Sequence, residues 1–281
     1  MNRICARQRL SFFQASCLIF GIILTIGCAT IATVPERADA PGTVALCTAV
    51  ENTKEAIHDW DPKRLNQASQ RLQTAVPENE TEAFYQHYWR GAALFHSVLI
   101  LQSTSSTSDN TKQQTSVTRE AIEALKAALE HRPQDGDSNA MLATLYGMKI
   151  SEQPLSAIWI GPQLLKLRAA AKSSQSDNPR VNYLEGVGLL NRAGDSQDVS
   201  DALEKLLEAE RLFEAEASVP KTVWDADWGR TSNQLFIGEA YEKLEQPDQA
   251  IIWFQRVMQA TPASVRAREG YERCRQKMES M

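Results

Sequence analysis

The chain of 281 residues is 43% apolar and 23% charged, so it holds enough material for one large or two ordinary domains and is not a disordered or fibrous chain. Its formal charge is −5; residues 1–40 carry +2, four arginines against Glu36 and Asp39, which leaves −7 for the rest. A body of that sign excludes a general electrostatic attraction to nucleic acid.

Taken in order, the first element is an export segment over residues 1–40. Arg3, Arg7 and Arg9 precede a stretch from Leu10 to Pro35 without a charge, most apolar from Cys17 to Ile26. That is the layout of a positive n-region and an apolar h-region. Three processing routes are open. "LTIGC" resembles a bacterial lipobox that would lipidate Cys28, although Leu24 stands one place early. A peptidase could instead cut after Ala32 or Ala40. The uncharged span is also long enough to remain as a membrane anchor. Each route places residues from about 41 onward in the periplasm or at the cell surface, and tethering to the membrane would run through the N-terminus.

The remainder, 41–281, reads as helical. Leu, Ala, Glu, Gln and Arg are plentiful, and two-residue alternation of β-branched residues is scarce. Helices are expected near 43–58, 62–76, 81–102, 117–131, 137–149, 155–173, 179–193, 198–216, 231–244, 248–260 and 263–279. In pairs they make about five hairpins and a C-terminal closing helix. Two insertions interrupt them. Residues 102–117, "QSTSSTSDNTKQQTSV", are polar and low in complexity, and a mobile loop is expected there. Residues 218–231, "SVPKTVWDADWGRT", place Trp224 and Trp228 in a loop that should pack onto something: an edge of its own helices or a partner. The basic end, "VRAREGYERCRQKMES", reads as a solvated terminal helix. Cys47 and Cys274 stand at opposite ends of the body, too far apart in an elongated fold to bridge.

An internal repeat emerges from four blocks aligned on a small residue: "YWRGAALF" at Gly91, "MLATLYGM" at Ala143, "YLEGVGLL" at Gly186 and "FIGEAYEK" at Gly238. A large residue follows three places on, at Leu94, Tyr146, Leu189 and Tyr241, one turn along the same face. Two second helices match each other, "AIEALKAALEHRP" and "AIIWFQRVMQATP", each ended by proline.

These residues resemble the tetratricopeptide repeat, whose motif fixes a small residue, an aromatic, Ala, an aromatic and Pro at set spacings. Gly238, Tyr241, Ala250, Phe254 and Pro262 match all five, and residues 121–146 match across a repeat junction. The resemblance implies an all-α, tetratricopeptide-like α-solenoid that binds a protein or peptide in its concave groove, in a bacterial exported or lipoprotein setting. It implies that the first helix of each hairpin lines that groove. By register the groove positions are Tyr85, Tyr88, Phe95 and His96; Thr144 and Met148; Arg180 and Tyr183; and Leu235, Glu239, Glu242 and Lys243. The alternative for the aromatic members is packing between helices.

No catalytic signature is present. There is no Gly-rich phosphate loop, H-E-x-x-H, G-x-S-x-G or paired C-x-x-C. His58, His87, His96 and His131 lack metal-ligand spacing. No cofactor, metal or catalytic residue is therefore expected. The leading expectation is a non-enzymatic interaction scaffold of the cell envelope. The alternative is an enzyme or enzyme subunit acting on cell-wall polysaccharide or peptidoglycan, which would need a converging carboxylate pair in a cleft. A third is a module that oligomerises through its hairpin edges.

Overall fold

The computed structural model describes residues 41–103 and 108–280; the expected export segment, with Cys28, lies outside the described residues. Those residues form eleven α-helices and no strand: α1 (Pro41–His58), α2 (Pro62–Thr74), α3 (Glu80–Ser103), α4 (Ser108–His131), α5 (Gly136–Glu152), α6 (Ala157–Ser174), α7 (Pro179–Leu190), α8 (Ser196–Glu216), α9 (Arg230–Lys243), α10 (Pro247–Ala260) and α11 (Val265–Glu279). A 3-10 turn, Pro154–Ser156, leads into α6. Consecutive helices pack as five hairpins, and α11 closes the array against α10 and α9.

Local chemistry sets the boundaries. Side chains of Asp61, Asp135, Asn178, Asp195 and Ser264 cap the first turns of α2, α5, α7, α8 and α11. Pro62, Pro179 and Pro247 open α2, α7 and α10, where the missing N–H has no helical partner to lose. The hairpins α1/α2 and α9/α10 close with the same turn. Trp60 and Glu245 adopt φ of 51° and 59°. The next amide reaches back five residues in each, Asp61 N to Ala56 O and Gln246 N to Tyr241 O. Both are Schellman ends. The first hairpin, which carries no motif in its sequence, thus uses the turn of the best-matched one.

The small residues of the repeat do packing work. A Cβ on Gly91 would lie 2.6 Å from Leu125 Cδ2 across the α3/α4 hairpin, and one on Gly186 would lie 2.8 Å from Leu206 Cδ2 across α7/α8. Phe254 sits between two glycines: a Cβ on Gly238 or on Gly270 would lie 2.8 or 2.5 Å from its ring. Each glycine lets a second helix seat a large side chain against the first helix's backbone. One buried cluster runs continuously from α1 to α9, and a smaller one of Leu235, Ala250, Phe254, Val257, Ala267 and Cys274 lies under α9–α11.

Each odd-numbered helix also touches the next odd-numbered one, whereas the even-numbered helices make no comparable contact with each other. The odd row is therefore the crowded, inner side of the array, and the even row is splayed outward. This is a tetratricopeptide-like α-solenoid.

The stretch 102–117 differs from its expected loop. α3 continues to Ser103 and α4 begins at Ser108, so most of it is helical. The reason is tertiary anchoring. Val117 packs on the core, Thr118 is buried, and Gln114 Nε2 donates to Glu152 of α5 at 2.8 Å. Ser, Thr, Asn and Gln cost little enough per residue for a helix fixed at one end to extend through them.

Two substitutions separate these constraints by sign. Gly91→Ala should destabilise the protein by about 1–3 kcal/mol in urea unfolding, because the overpacking against Leu125 outweighs the roughly 1 kcal/mol that Ala gains in a helix. A more stable variant would mean that Gly91 is only tolerated. Glu245→Gly should stabilise by about 1 kcal/mol, by relieving a left-handed non-glycine residue; a loss of stability would refute the turn.

Candidate functional site

The inner row is not bare. The connection from α8 to α9 lies back across it and reaches α3, more than 130 residues earlier in the chain. Thr222 and Asp225 make a tight turn at its start, with the Thr222 N–H and hydroxyl donating to Asp225 Oδ2 at 2.7 and 2.8 Å. Gly229 ends it at φ 106°, where a Cβ would meet Phe213 at 3.0 Å. Only glycine fits that conformation and that gap.

Trp228, just before this glycine, points inward and is 3% exposed. Its Nε1–H donates to Tyr88 Oη at 3.1 Å. Its ring stands edge-on to His96, with centroids 5.2 Å apart, and lies 6.4 Å from Phe95. Four residues earlier, Trp224 stacks on Tyr85 at 5.0 Å and 19°, and its carbonyl accepts from Trp89 Nε1 at 3.3 Å. The two tryptophans thus pin the loop to α3 at two levels.

Arg180 of α7 holds the middle. Its Nη1 and Nη2 donate to both oxygens of Glu216 at 2.8 Å, and Nη2 also donates to the Ala226 carbonyl at 2.6 Å. Nε faces Asp137 Oδ2 at 3.8 Å. Lys221 Nζ donates to the same Ala226 carbonyl at 3.0 Å. Asp137 in turn accepts from Tyr88 Oη at 2.7 Å and from Asn178 Nδ2 at 2.7 Å. Burial alone would lower the Arg180 pKa, but Asp137 and Glu216 more than offset it and hold the guanidinium above its usual value. Burial alone would raise Glu216, and the Arg180 bonds pull it below its usual value. Burial, then the Asp137 charge, holds the Tyr88 phenol well above its usual value, so it stays a donor.

A cleft of about 340 Å³ remains between loop and inner helices. Tyr85, Trp224 and Phe84 give it an aromatic wall; Arg132, Lys221 and Asp135 give it both charge signs, and Gln175 adds a neutral amide. Arg132 lies over the Phe84 and Tyr85 rings at 4.1 and 4.8 Å. The Asp135 carboxyl is pushed up to about 6 by burial and by neighbouring Asp137. It also caps α5 through the Ser138 N–H at 2.7 Å. Among the described residues no group of His, Cys, Asp and Glu is arranged to hold a metal ion.

The groove positions taken from register fare differently from one another. Tyr85 is half-buried and lines the cleft. Tyr88, Phe95, His96 and Arg180 are buried by the loop or by packing, and Tyr183 is buried against Phe236 of α9. Tyr88 and Arg180 keep an edge on the cleft, which Phe95, His96 and Tyr183 do not line. Thr144 turns its hydroxyl onto its own helix at the Ala140 carbonyl, 2.9 Å away, and Met148 packs on the core. Leu235 belongs to the C-terminal core. Glu239 and Glu242 are taken by Arg266 and Arg273 of α11. Lys243 is exposed, with Nζ 3.3 Å from the Leu190 carbonyl. The physical reason is common to most of them: the positions that register leaves open are covered by the Trp loop on one side and by α11 on the other.

Arg132, Asp135, Asn178 and Lys221 were not marked by register, because they stand at helix ends and in the insertion. The signal that did point here was the aromatic loop itself. It packs onto its own helices, with Trp228 inside and Trp224 forming the rim.

No protein-family model matches the chain, and no curated protein matches it in sequence. Solved structures similar to it include two helical proteins. The crystal structure of TTC0263, a thermophilic TPR protein in Thermus thermophilus, is 12% identical with a TM-score of 0.49, covering 83% of this chain and 98% of that one. The assembly chaperone of RpL4 (Acl4), residues 1–338, is 13% identical with a TM-score of 0.36, covering 86% of this chain and 98% of that one.

His96 gives this site a pH signature. Burial lowers its pKa to about 4, against which the Ala92 carbonyl bond at Nδ1 acts only weakly. The unfolded chain therefore takes up the proton first, and stability is lost as pH falls from about 6.5 toward 4. Relative to His96→Leu, the wild type should lose about 2–3 kcal/mol between pH 7 and 4.5. Paired urea titrations at the two pH values measure it, and a pH-independent difference would place His96 in water.

Proposed function

We propose that the protein is a non-enzymatic interaction scaffold of the bacterial cell envelope that takes an extended segment of a partner protein into the cleft beside the Trp loop. The observation that carries this reading is the loop itself. The inner helices already hold an irregular stretch of polypeptide by two backbone carbonyls, Trp224 O accepting from Trp89 and Ala226 O from Arg180, and by aromatic side chains. The adjoining cleft offers the same chemistry: aromatic faces for apolar side chains and Arg132, Gln175 and Lys221 as donors. Envelope placement rests on the arginine-then-apolar opening of the sequence.

The enzymatic alternative called for converging carboxylates, and Asp135 and Asp137 do meet in this cleft. Both are engaged in holding the fold. Asp135 caps α5, and Asp137 ties Tyr88 and Asn178 together beside Arg180. Neither is left to face a reacting group, which supports the scaffold reading.

A photoreactive amino acid at position 85, introduced in the producing bacterium, should trap a discrete partner that the same probe at exposed Lys126 of outer helix α4 does not. Without the probe, Tyr85→Ala combined with Arg132→Ala should cut capture of that partner by affinity pull-down at least about tenfold, with unchanged helicity by circular dichroism. Equal trapping at 85 and 126, or undiminished capture by the double variant, would refute the assignment.

A further inference from the structure

We propose that the outward face of α6 is a docking surface for an anionic membrane leaflet. This helix is the least enclosed of the array. Its main support is α5, and only Leu164 and Ala171 of its eighteen residues are buried. Leu155 in the preceding turn, with Ile158, Trp159 and Leu165, is 81%, 66%, 68% and 64% exposed. Spacings of three, four and seven place them on one stripe. Among the described residues, no other run of eleven exposes four large apolar side chains, and Trp159 is the most exposed tryptophan. Such a patch marks an interaction surface.

The charges identify the occupant. From Gln153 to Ser176 there is no Asp or Glu, while Lys166, Arg168 and Lys172 are present, in a chain whose net charge is negative. Lys166 is exposed on the apolar stripe itself. Lys172 flanks it, with Nζ 3.8 Å from Glu185, and Arg168 points toward Arg192. Exposed Leu, Ile and Trp with lysines alongside is the composition of a helix that lies in the plane of a lipid interface, its rings and aliphatic chains at headgroup depth and its cations on lipid phosphates. No described helix is long and apolar enough to cross a membrane, so the contact is at the surface. A second copy is a poorer occupant: a two-fold contact on this face would set the lysines of each copy against those of the other.

The chain has six tryptophans and none within residues 1–40, so tryptophan emission is blind to that segment's own contact with lipid. The full chain is mixed with vesicles of phosphatidylcholine, with or without phosphatidylglycerol, carrying brominated acyl chains. Emission should be quenched with phosphatidylglycerol and much less without it. Trp159→Phe should abolish the quenching, and Lys166→Gln should weaken the lipid partition about fivefold. No quenching, quenching that survives Trp159→Phe, or equal quenching in both vesicles would overturn the proposal. So would a dimer by light scattering that Trp159→Ser dissociates.

Discussion

A guanidinium cannot lose its charge inside a protein, so a buried arginine must be surrounded by acceptors. Arg180 is 2% exposed, and its surroundings organise the inner face of this solenoid. Three elements meet on it: Asp137 from α5, Glu216 from the end of α8, and the Ala226 carbonyl from the loop. Without the loop, one of its acceptors is gone and Phe213 and Trp228 no longer sandwich its charge. The loop is therefore a structural member, held where the arginine needs it.

That constraint explains why an aromatic groove carries so little open aromatic surface. Trp228 covers Tyr88, Phe95 and His96, which would otherwise face water. What stays accessible is the next step along the groove, where Tyr85 and Trp224 share a stack and Arg132 covers its edge. The loop divides the inner surface into a covered half, which stabilises the fold, and an open half lined by the cleft. The C-terminal end is closed differently. Glu239, Glu242 and Glu245 on and after α9 face Arg266, Arg273 and Lys277 of α11 in a row of exposed ion pairs. Each contributes little alone, so the closing helix is held chiefly by Phe254 and its two glycines.

How much of this the sequence showed follows from what a repeat motif encodes. Gly238, Tyr241, Ala250, Phe254 and Pro262 identified the hairpins because the motif is a record of helix-to-helix packing, which is local. The same record says where a groove would be and nothing about what lies in it. The contacts Trp89 to Trp224 and Tyr88 to Trp228 span 135 and 140 residues, and no periodicity specifies them. Leu235 and Glu239 looked open because register treats every repeat as if the next one left its inner face free. Composition misled over 102–117, where anchoring at Val117 and Thr118 outweighs weak local helix preference.

The loop is seated on α3 in the folded protein, and the Trp228–Tyr88 contact is its most specific mark. A double-mutant cycle with Tyr88→Phe and Trp228→Phe, read by urea unfolding, isolates that contact from the burial of either ring. A seated loop predicts a coupling of about 1 kcal/mol, the worth of one buried hydrogen bond. Additive losses, with no coupling, would mean that the loop lies elsewhere and the groove is open along its length.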